Sequence, residues 1–214
     1  MRSGMNDGSR LKTQLTRFLG SAGNNLMDRF ALLAPKRVVG FAGQFLFWPI
    51  ACSQFVMYKL GMFSWYDEVY KSPTGGRVIL GALPWPEATR NLLLNKEHVT
   101  AVVNVVSEHS VPFHVKARLN VPMTDFAHPE YFQVASAVEF IDKHVKAGET
   151  VYVHCRAGKG RSATVVMCWL VSRLGFDPET AQAFLSRQRP QILDSLKDRD
   201  VVKQFHNERK DSHS

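Results

Sequence analysis

One eleven-residue segment, 154–164, constrains the fold of this chain more than any other. It reads HCRAGKGRSAT. The β-branched and aromatic residues 151–153 just before it predict a buried strand, and the apolar run 165–171 after it predicts a buried helix. A short glycine-containing loop between a strand and a helix gathers backbone N–H groups at the helix N-terminus, where they bind anions. The segment therefore predicts an α/β fold with an anion site at the end of a strand.

The spacing between Cys155 and Arg161 suits a phosphate group. Five residues separate them, enough for the loop to curl and direct its N–H groups inward. Gly158 and Gly160 permit positive φ and a close approach of the backbone to the anion. The planar guanidinium of Arg161 offers two donors to two phosphate oxygens. The predicted phosphate-binding residues are Arg156, Ala157, Gly158, Lys159, Gly160 and Arg161.

The same loop predicts a nucleophile. A free thiol titrates near pH ~8.5, and a helix N-terminus and a nearby guanidinium favour its thiolate, which is the reactive form. Ser162 is placed to donate a hydrogen bond to the sulfur of Cys155. His154 is expected to support the loop through a backbone hydrogen bond rather than to act as an acid. Cys52 and Cys168 are interpreted as small buried apolar residues.

Segment 152–164 resembles the signature loop of the cysteine-dependent phosphatases, the superfamily of protein tyrosine and dual-specificity phosphatases. The resemblance implies a two-step reaction that needs no metal and no cofactor. The Cys155 thiolate takes the phosphoryl group while an acid on another loop protonates the leaving oxygen. Water then hydrolyses the phosphocysteine, with the same carboxylate acting as base.

The expected acid is Asp125. It is the only carboxylate in the stretch 119–129, between a short strand and a helix that starts near Pro129. In phosphatases of the dual-specificity type an aspartate lies about thirty residues before the cysteine, so the resemblance assigns Asp125 the role of acid and base. A turn or helix-capping aspartate is the structural alternative. His128 is the second candidate for the acid.

Composition narrows the possible partners and compartments. Three cysteines, one of them assigned to catalysis, do not make a disulfide framework, and a catalytic thiolate needs a non-oxidising compartment. The net charge is +8, but no basic run interleaved with aromatic residues indicates nucleic-acid binding. The charge therefore favours anionic substrates or membranes.

The sequence divides into three regions. Residues 1–37 carry seven basic and two acidic residues and alternate cations with leucines, which predicts a mitochondrial targeting segment or, alternatively, a disordered or membrane-surface tail. Residues 38–64 form an apolar, membrane-associating segment, uncharged from 38 to 58. Whether it spans the membrane, lies on it or packs on the domain stays open. Residues 65–214 are the predicted catalytic domain.

Within 65–214, strands alternate with helices. Segment 77–84 is predicted to be a strand followed by a turn, and strands are predicted over 99–106 and 151–154. Helices are predicted at 86–95, from Pro129 to Gly148, from the loop to Leu174, after Asp177, and from Ser195 to Glu208. This alternation predicts a mostly parallel central sheet flanked by helices. Ligands of such sheets bind at the carboxyl ends of the strands, where Cys155 lies.

From about residue 45 onward, the chain resembles the mitochondrial phosphatases of the protein-tyrosine-phosphatase-like branch that act on phosphatidylglycerophosphate. The resemblance rests on LFWP at 46–49, VILGALP at 78–84, the signature loop, and KQFH at 203–206. It implies an anionic phospholipid substrate, a membrane partner and the mitochondrial inner membrane. The sequence departs from this branch at 104–110, where an acidic and aromatic patch is reduced to Glu108.

Three rival functions remain. A dual-specificity protein phosphatase would use the same residues on phosphotyrosine or phosphothreonine. A catalytically silent phosphate-binding scaffold would not need Cys155, Arg161 and Asp125 together. Sulfur or arsenate redox chemistry would need a resolving thiol, and Cys168 lies thirteen positions beyond the nucleophile in a helix interior.

Overall fold

The computed structural model describes residues 47–109, 111–124 and 129–212. The predicted targeting segment 1–37, the first part of the apolar segment, Asp125 and His128 lie outside these residues. The described chain starts with helix α1 (Phe47–Lys59), followed by strands β1 (Tyr66–Lys71) and β2 (Arg77–Gly81), helix α2 (Glu87–Asn95) and strands β3 (Val99–Val106) and β4 (Ala117–Met123). Then come helix α3 (Tyr131–Lys146), strand β5 (Thr150–His154), helices α4 (Arg161–Arg173) and α5 (Pro178–Gln188), a 3₁₀ turn (Leu196–Asp198) and helix α6 (Asp200–Asp211).

The five strands form one sheet in the order β1-β2-β5-β3-β4. The β2–β5, β5–β3 and β3–β4 pairs are parallel, and only the edge strand β1 runs antiparallel to its neighbour. The predicted mostly parallel sheet flanked by helices is therefore confirmed. Because the central strands are parallel, the segments after β2, β3, β4 and β5 emerge at the same edge. That edge carries the signature loop.

The core lies mainly between one sheet face and helix α4. Residues 161–171 of α4 are all buried, which explains its continuous apolar sequence. A smaller cluster on the opposite face joins Ile79, Val102 and Tyr152 to Leu93 of α2 and to Phe113. Strand β3 is buried at every position except Thr100, as its unbroken β-branched run predicts.

Most predicted helix ends are confirmed. Gly148 and Gly175 follow α3 and α4 with φ of 77° and 80°, a conformation that favours glycine. Asp177 caps α5 by accepting a hydrogen bond from the Thr180 N–H at 2.9 Å. Helix α3 starts at Tyr131 rather than at Pro129, because Glu130 and Gln133 form a reciprocal capping box.

The prediction of one continuous last helix from Ser195 was wrong. The chain forms a 3₁₀ turn, and Arg199 is extended (φ −66°, ψ 134°) before α6 starts at Asp200. A tertiary contact accounts for the break, since the Arg199 guanidinium donates to Thr164 Oγ1 on α4 at 2.9 Å.

Helix α1 packs on the rest of the described fold through one face. Phe47 and Ala51 are 0% and 2% exposed and belong to the main core cluster. The opposite face carries Trp48 and Val56, with Leu60 just beyond the helix end, at 46%, 55% and 64% exposure. These three positions are multiples of four residues apart and so lie on one side of the helix. Among the described residues, no helix is both long and apolar enough to cross a bilayer.

Candidate active site

Cys155 lies at the base of the loop between β5 and α4, directly after His154. Its side chain is buried, with 3% exposure. The sulfur accepts hydrogen bonds from the Gly158 N–H at 3.1 Å and from Ser162 Oγ at 3.2 Å. Both donors, together with the N-terminus of α4, stabilise negative charge on the sulfur. The structure thus places Cys155, Ser162 and the loop amides at one centre.

The two loop glycines have different roles. Gly158 has φ +67°, and a Cβ there would lie 2.5 Å from the Gly81 carbonyl, so both conformation and space require glycine. Gly160 has a negative φ, with φ −109° and ψ −82°. Of the two glycines, only Gly158 therefore adopts the positive φ that glycine permits. A Cβ at Gly160 would approach Leu193 Cδ1 to 3.2 Å, so the leucine side chain would have to shift slightly.

Arg161 is held by two neighbouring segments. Its Nη1 donates to the Met123 carbonyl at 2.7 Å and to both carboxylate oxygens of Glu108, at 2.9 and 3.1 Å. The Arg161 and Glu108 side chains are only 4% and 6% exposed, so this is a buried ion pair. The contacts fix the plane of the guanidinium beside the loop. Glu108 follows β3 and Met123 ends β4, and both strands reach the same edge as Cys155.

A buried arginine from a distant segment supports the outer side of the loop. Arg189, which directly follows α5, is 0% exposed. Its Nε donates to the Gly158 carbonyl at 2.8 Å and its Nη2 to the Ala157 carbonyl at 3.2 Å, while Nη1 pairs with Asp67 of β1 at 2.5 Å. Because the two loop carbonyls point outward to Arg189, the loop is fixed with those carbonyls away from the anion site. Sequence reasoning missed Arg189 and Asp67.

The other loop side chains lie around this centre. His154 is 2% exposed and stacks on Tyr152, with ring centroids 5.4 Å apart. Burial lowers the pKa of His154 to about 3, so its ring is neutral at physiological pH. Arg156 is 7% exposed and lies over the ring of Phe47, 5.7 Å from its centroid. The Lys159 ammonium lies 4.1 Å from the ring centroid of Phe63.

The other two thiols, Cys52 and Cys168, lie on helices rather than in the signature loop. Cys168 is 0% exposed inside α4, and burial raises the pKa of its thiol. Cys52 is exposed on α1, so its interpretation as a buried residue was wrong. Neither makes a disulfide.

The acid candidates Asp125 and His128 are outside the described residues. The residues that precede them contact the site, because the Met123 carbonyl accepts a hydrogen bond from Arg161. A loop that continues from β4 thus starts beside the guanidinium.

Comparison with known proteins decides the family. The family "Dual specificity phosphatase, catalytic domain" matches residues 83–208. The chain belongs to this family. It is a cysteine-dependent phosphatase, and the expected enzyme class is confirmed.

Relatives within the family confirm the resemblance to the branch. The phosphatidylglycerophosphate phosphatase PTPMT1 of Arabidopsis thaliana is 31% identical over 76% of this chain, which spans 49% of that protein. The phosphatidylglycerophosphatase and protein-tyrosine phosphatase 1 of Homo sapiens is 31% identical over 66% of this chain and 73% of its own length. A crystal structure of PTPMT1 in complex with PI(5)P superposes with a TM-score of 0.59 at 27% identity, covering 71% of this chain and all of that one.

Proposed function

We propose that this phosphatase hydrolyses the terminal phosphomonoester of phosphatidylglycerophosphate through a phosphocysteine on Cys155. Attack by the thiolate forms the S–P bond as the glycerol oxygen leaves. The observation that carries the proposed chemistry is the Cys155 sulfur, which receives two hydrogen bonds at the base of the anion-binding loop. Arg161 and the loop amides bind the equatorial phosphoryl oxygens. The Ser162 hydroxyl stabilises the sulfur when water releases phosphate.

The choice of a lipid substrate rests on the surroundings of the loop. Arg156 and Lys159 add positive charge beside Arg161, which suits a substrate with a bridging phosphodiester as well as a terminal phosphate. Arg156 also contacts Phe47, at the buried start of α1. Two named relatives act on phosphatidylglycerophosphate, and a solved relative holds a phosphoinositide. An anionic phospholipid is therefore the substrate class that fits the site best.

Membrane association is part of this proposal. The exposed face of α1, with Trp48, Val56 and Leu60, is apolar. An apolar helix face suits a bilayer surface, in which the side chains enter the headgroup region. Residues 1–37 would direct the chain to mitochondria and the inner membrane. Fractionation of cells that express the full chain, with and without residues 1–37, tests this localisation.

The substrate prediction is tested by comparing kcat/KM between lipid and phosphopeptide substrates. The full chain is expected to have a kcat/KM for phosphatidylglycerophosphate in anionic vesicles at least about tenfold above that for phosphotyrosine or phosphothreonine peptides, because only the lipid engages the extra cations. Released phosphate is the readout. A preference for the peptides would support the alternative, a dual-specificity protein phosphatase, which the name of the human relative also suggests.

Asp125 is proposed as the general acid of the first step and the base of the second. Asp125→Asn should slow alkyl phosphates by about 10²–10³-fold and nitrophenyl phosphate much less, because only a poor leaving group needs its proton. Steady-state rates on the two ester classes measure this difference. Asp142→Asn, which removes an i,i+4 ion pair with the exposed Lys146, is the control. An equal loss on both ester classes would assign the acid elsewhere, first to His128.

A further inference from the structure

Helix α1 contributes one side chain to the surroundings of the catalytic loop. Phe47, its first residue, is 0% exposed and belongs to the same core cluster as Cys155. The family match begins at residue 83, so α1 lies outside the matched domain. The ring of Phe47 nevertheless contacts two segments that carry residues of the active site.

The first contact is with the signature loop. The Arg156 guanidinium lies over the ring of Phe47, 5.7 Å from its centroid, an arrangement in which the ring face attracts the cation. Arg156 directly follows the nucleophile Cys155, and its carbonyl accepts a hydrogen bond from the Leu83 N–H at 3.1 Å. The residue next to the nucleophile is therefore held at its backbone by the segment after β2 and at its side chain by α1.

The second contact is with the residue that follows Glu108. The ring centroid of His109 lies 4.3 Å from that of Phe47 and 5.3 Å from that of Trp48. The Nε2 atom of His109 is buried and makes no hydrogen bond to any described residue, so the ring contacts with α1 hold this side chain. Both carboxylate oxygens of Glu108 bind Arg161. A shift of His109 would thus move the carboxylate that orients the catalytic guanidinium.

We infer that Phe47 is a positioning residue for phosphoryl transfer. Its ring holds Arg156 next to the nucleophile and His109 next to the carboxylate that orients the guanidinium. Phe47 acts through these two neighbours rather than on the phosphate, and small displacements of groups that contact a transition state cause large losses of rate. The inference needs only the phosphatase chemistry of Cys155 and Arg161, so it goes beyond the proposed function and holds for any phosphate ester.

The inference is tested by removing the ring in the full chain. Phe47→Leu keeps an apolar side chain, and its kcat on nitrophenyl phosphate without lipid should fall by about 10–10²-fold, with a smaller change in KM. Phe205→Leu is the matched control. Phe205 is also buried in the main core cluster and also stacks on an aromatic ring, that of Tyr131, but it lies on α6. This control should lower the melting temperature to a similar extent and leave kcat unchanged.

Anion affinity separates a positioning role from a packing role. Vanadate adopts the five-coordinate geometry of the transition state, in which Arg161 binds two equatorial oxygens, whereas inorganic phosphate is tetrahedral. Phe47→Leu should therefore raise the Kd of vanadate by about tenfold and that of phosphate by clearly less. Calorimetric titration measures both constants. A residue with only a structural role would change the two constants by the same factor or not at all.

A second variant covers the case in which Phe47→Leu folds poorly. His109 is only partly buried, and His109→Ala should also lower kcat by about tenfold. Combined with Phe47→Leu, it should lose less than the product of the two single losses, because both changes remove the same ring contact. Combined with Phe205→Leu, it should give the full product.

The possible outcomes decide the role of Phe47. If kcat falls no further in Phe47→Leu than in Phe205→Leu, or if the vanadate and phosphate constants change by the same factor, the inference is wrong. Full multiplicativity of Phe47→Leu and His109→Ala would also overturn it, because the two residues would then act independently. None of these results bears on the proposed lipid substrate, which the kcat/KM comparison of lipids and peptides decides.

Discussion

Cys155→Ser is expected to abolish turnover while the protein still binds phosphate or vanadate. A serine hydroxyl is not ionised at neutral pH and forms no readily hydrolysed phosphoenzyme, so kcat should fall by at least about 10⁴-fold. The anion contacts come from the loop amides and Arg161 rather than from the sulfur, so the variant should retain an affinity for anions similar to that of the unmodified chain. Phosphate release from nitrophenyl phosphate and calorimetric titration with vanadate measure the two properties.

Cys52→Ser is the matched control, since it makes the same chemical change at an exposed cysteine on α1. It should leave both properties unchanged. Appreciable phosphatase activity in Cys155→Ser would exclude a covalent mechanism. Loss of vanadate binding would instead show that the sulfur helps to shape the loop.

Arg161→Lys should reduce kcat by about 10²–10³-fold. A lysine still pairs with Glu108, so the buried ion pair survives, but a single ammonium cannot bind two equatorial oxygens as a guanidinium does. The two roles of the side chain, structural and catalytic, are therefore separable. Steady-state kinetics combined with the melting temperature should show a large loss of rate with a small loss of stability.

The control for this variant is Arg187→Lys, an exposed arginine near the end of α5. It should match the unmodified chain in both rate and stability. If Arg161→Lys turned over nearly as fast as the unmodified chain, the guanidinium would not act as a two-oxygen ligand.

The sequence was most informative where structure depends on local pattern. The buried strand β3, the helix stops at Gly148 and Gly175 and the cap at Asp177 all follow from residues within a few positions. The anion-binding role of loop 155–161 was predicted equally well, because its hydrogen-bond donors and its nucleophile lie within seven consecutive residues. Strand β1 was not predicted, because its alternation of charged and aromatic residues, YDEVYK, has only one buried position.

The supports of the loop could not be found in the same way. Arg189 and Asp67 are 122 residues apart, and no local pattern links an arginine after one helix to an aspartate in an edge strand. The position of Glu108 was easier to predict than that of Arg189. It follows the buried strand β3, and the rule that side chains after parallel strands meet at one edge would have placed it near Cys155. Its pairing with Arg161 in particular still depends on tertiary packing.

Arg189 also affects the stage of synthesis and folding at which the enzyme becomes active. The residues that it joins come from β1, from the signature loop and from the end of α5. During synthesis the loop and its cysteine emerge about thirty residues before Arg189, so the nascent chain carries a nucleophile whose loop carbonyls have no partner. Phosphatase activity should therefore appear only after the C-terminal helices have docked. The onset of activity would then report when folding is complete.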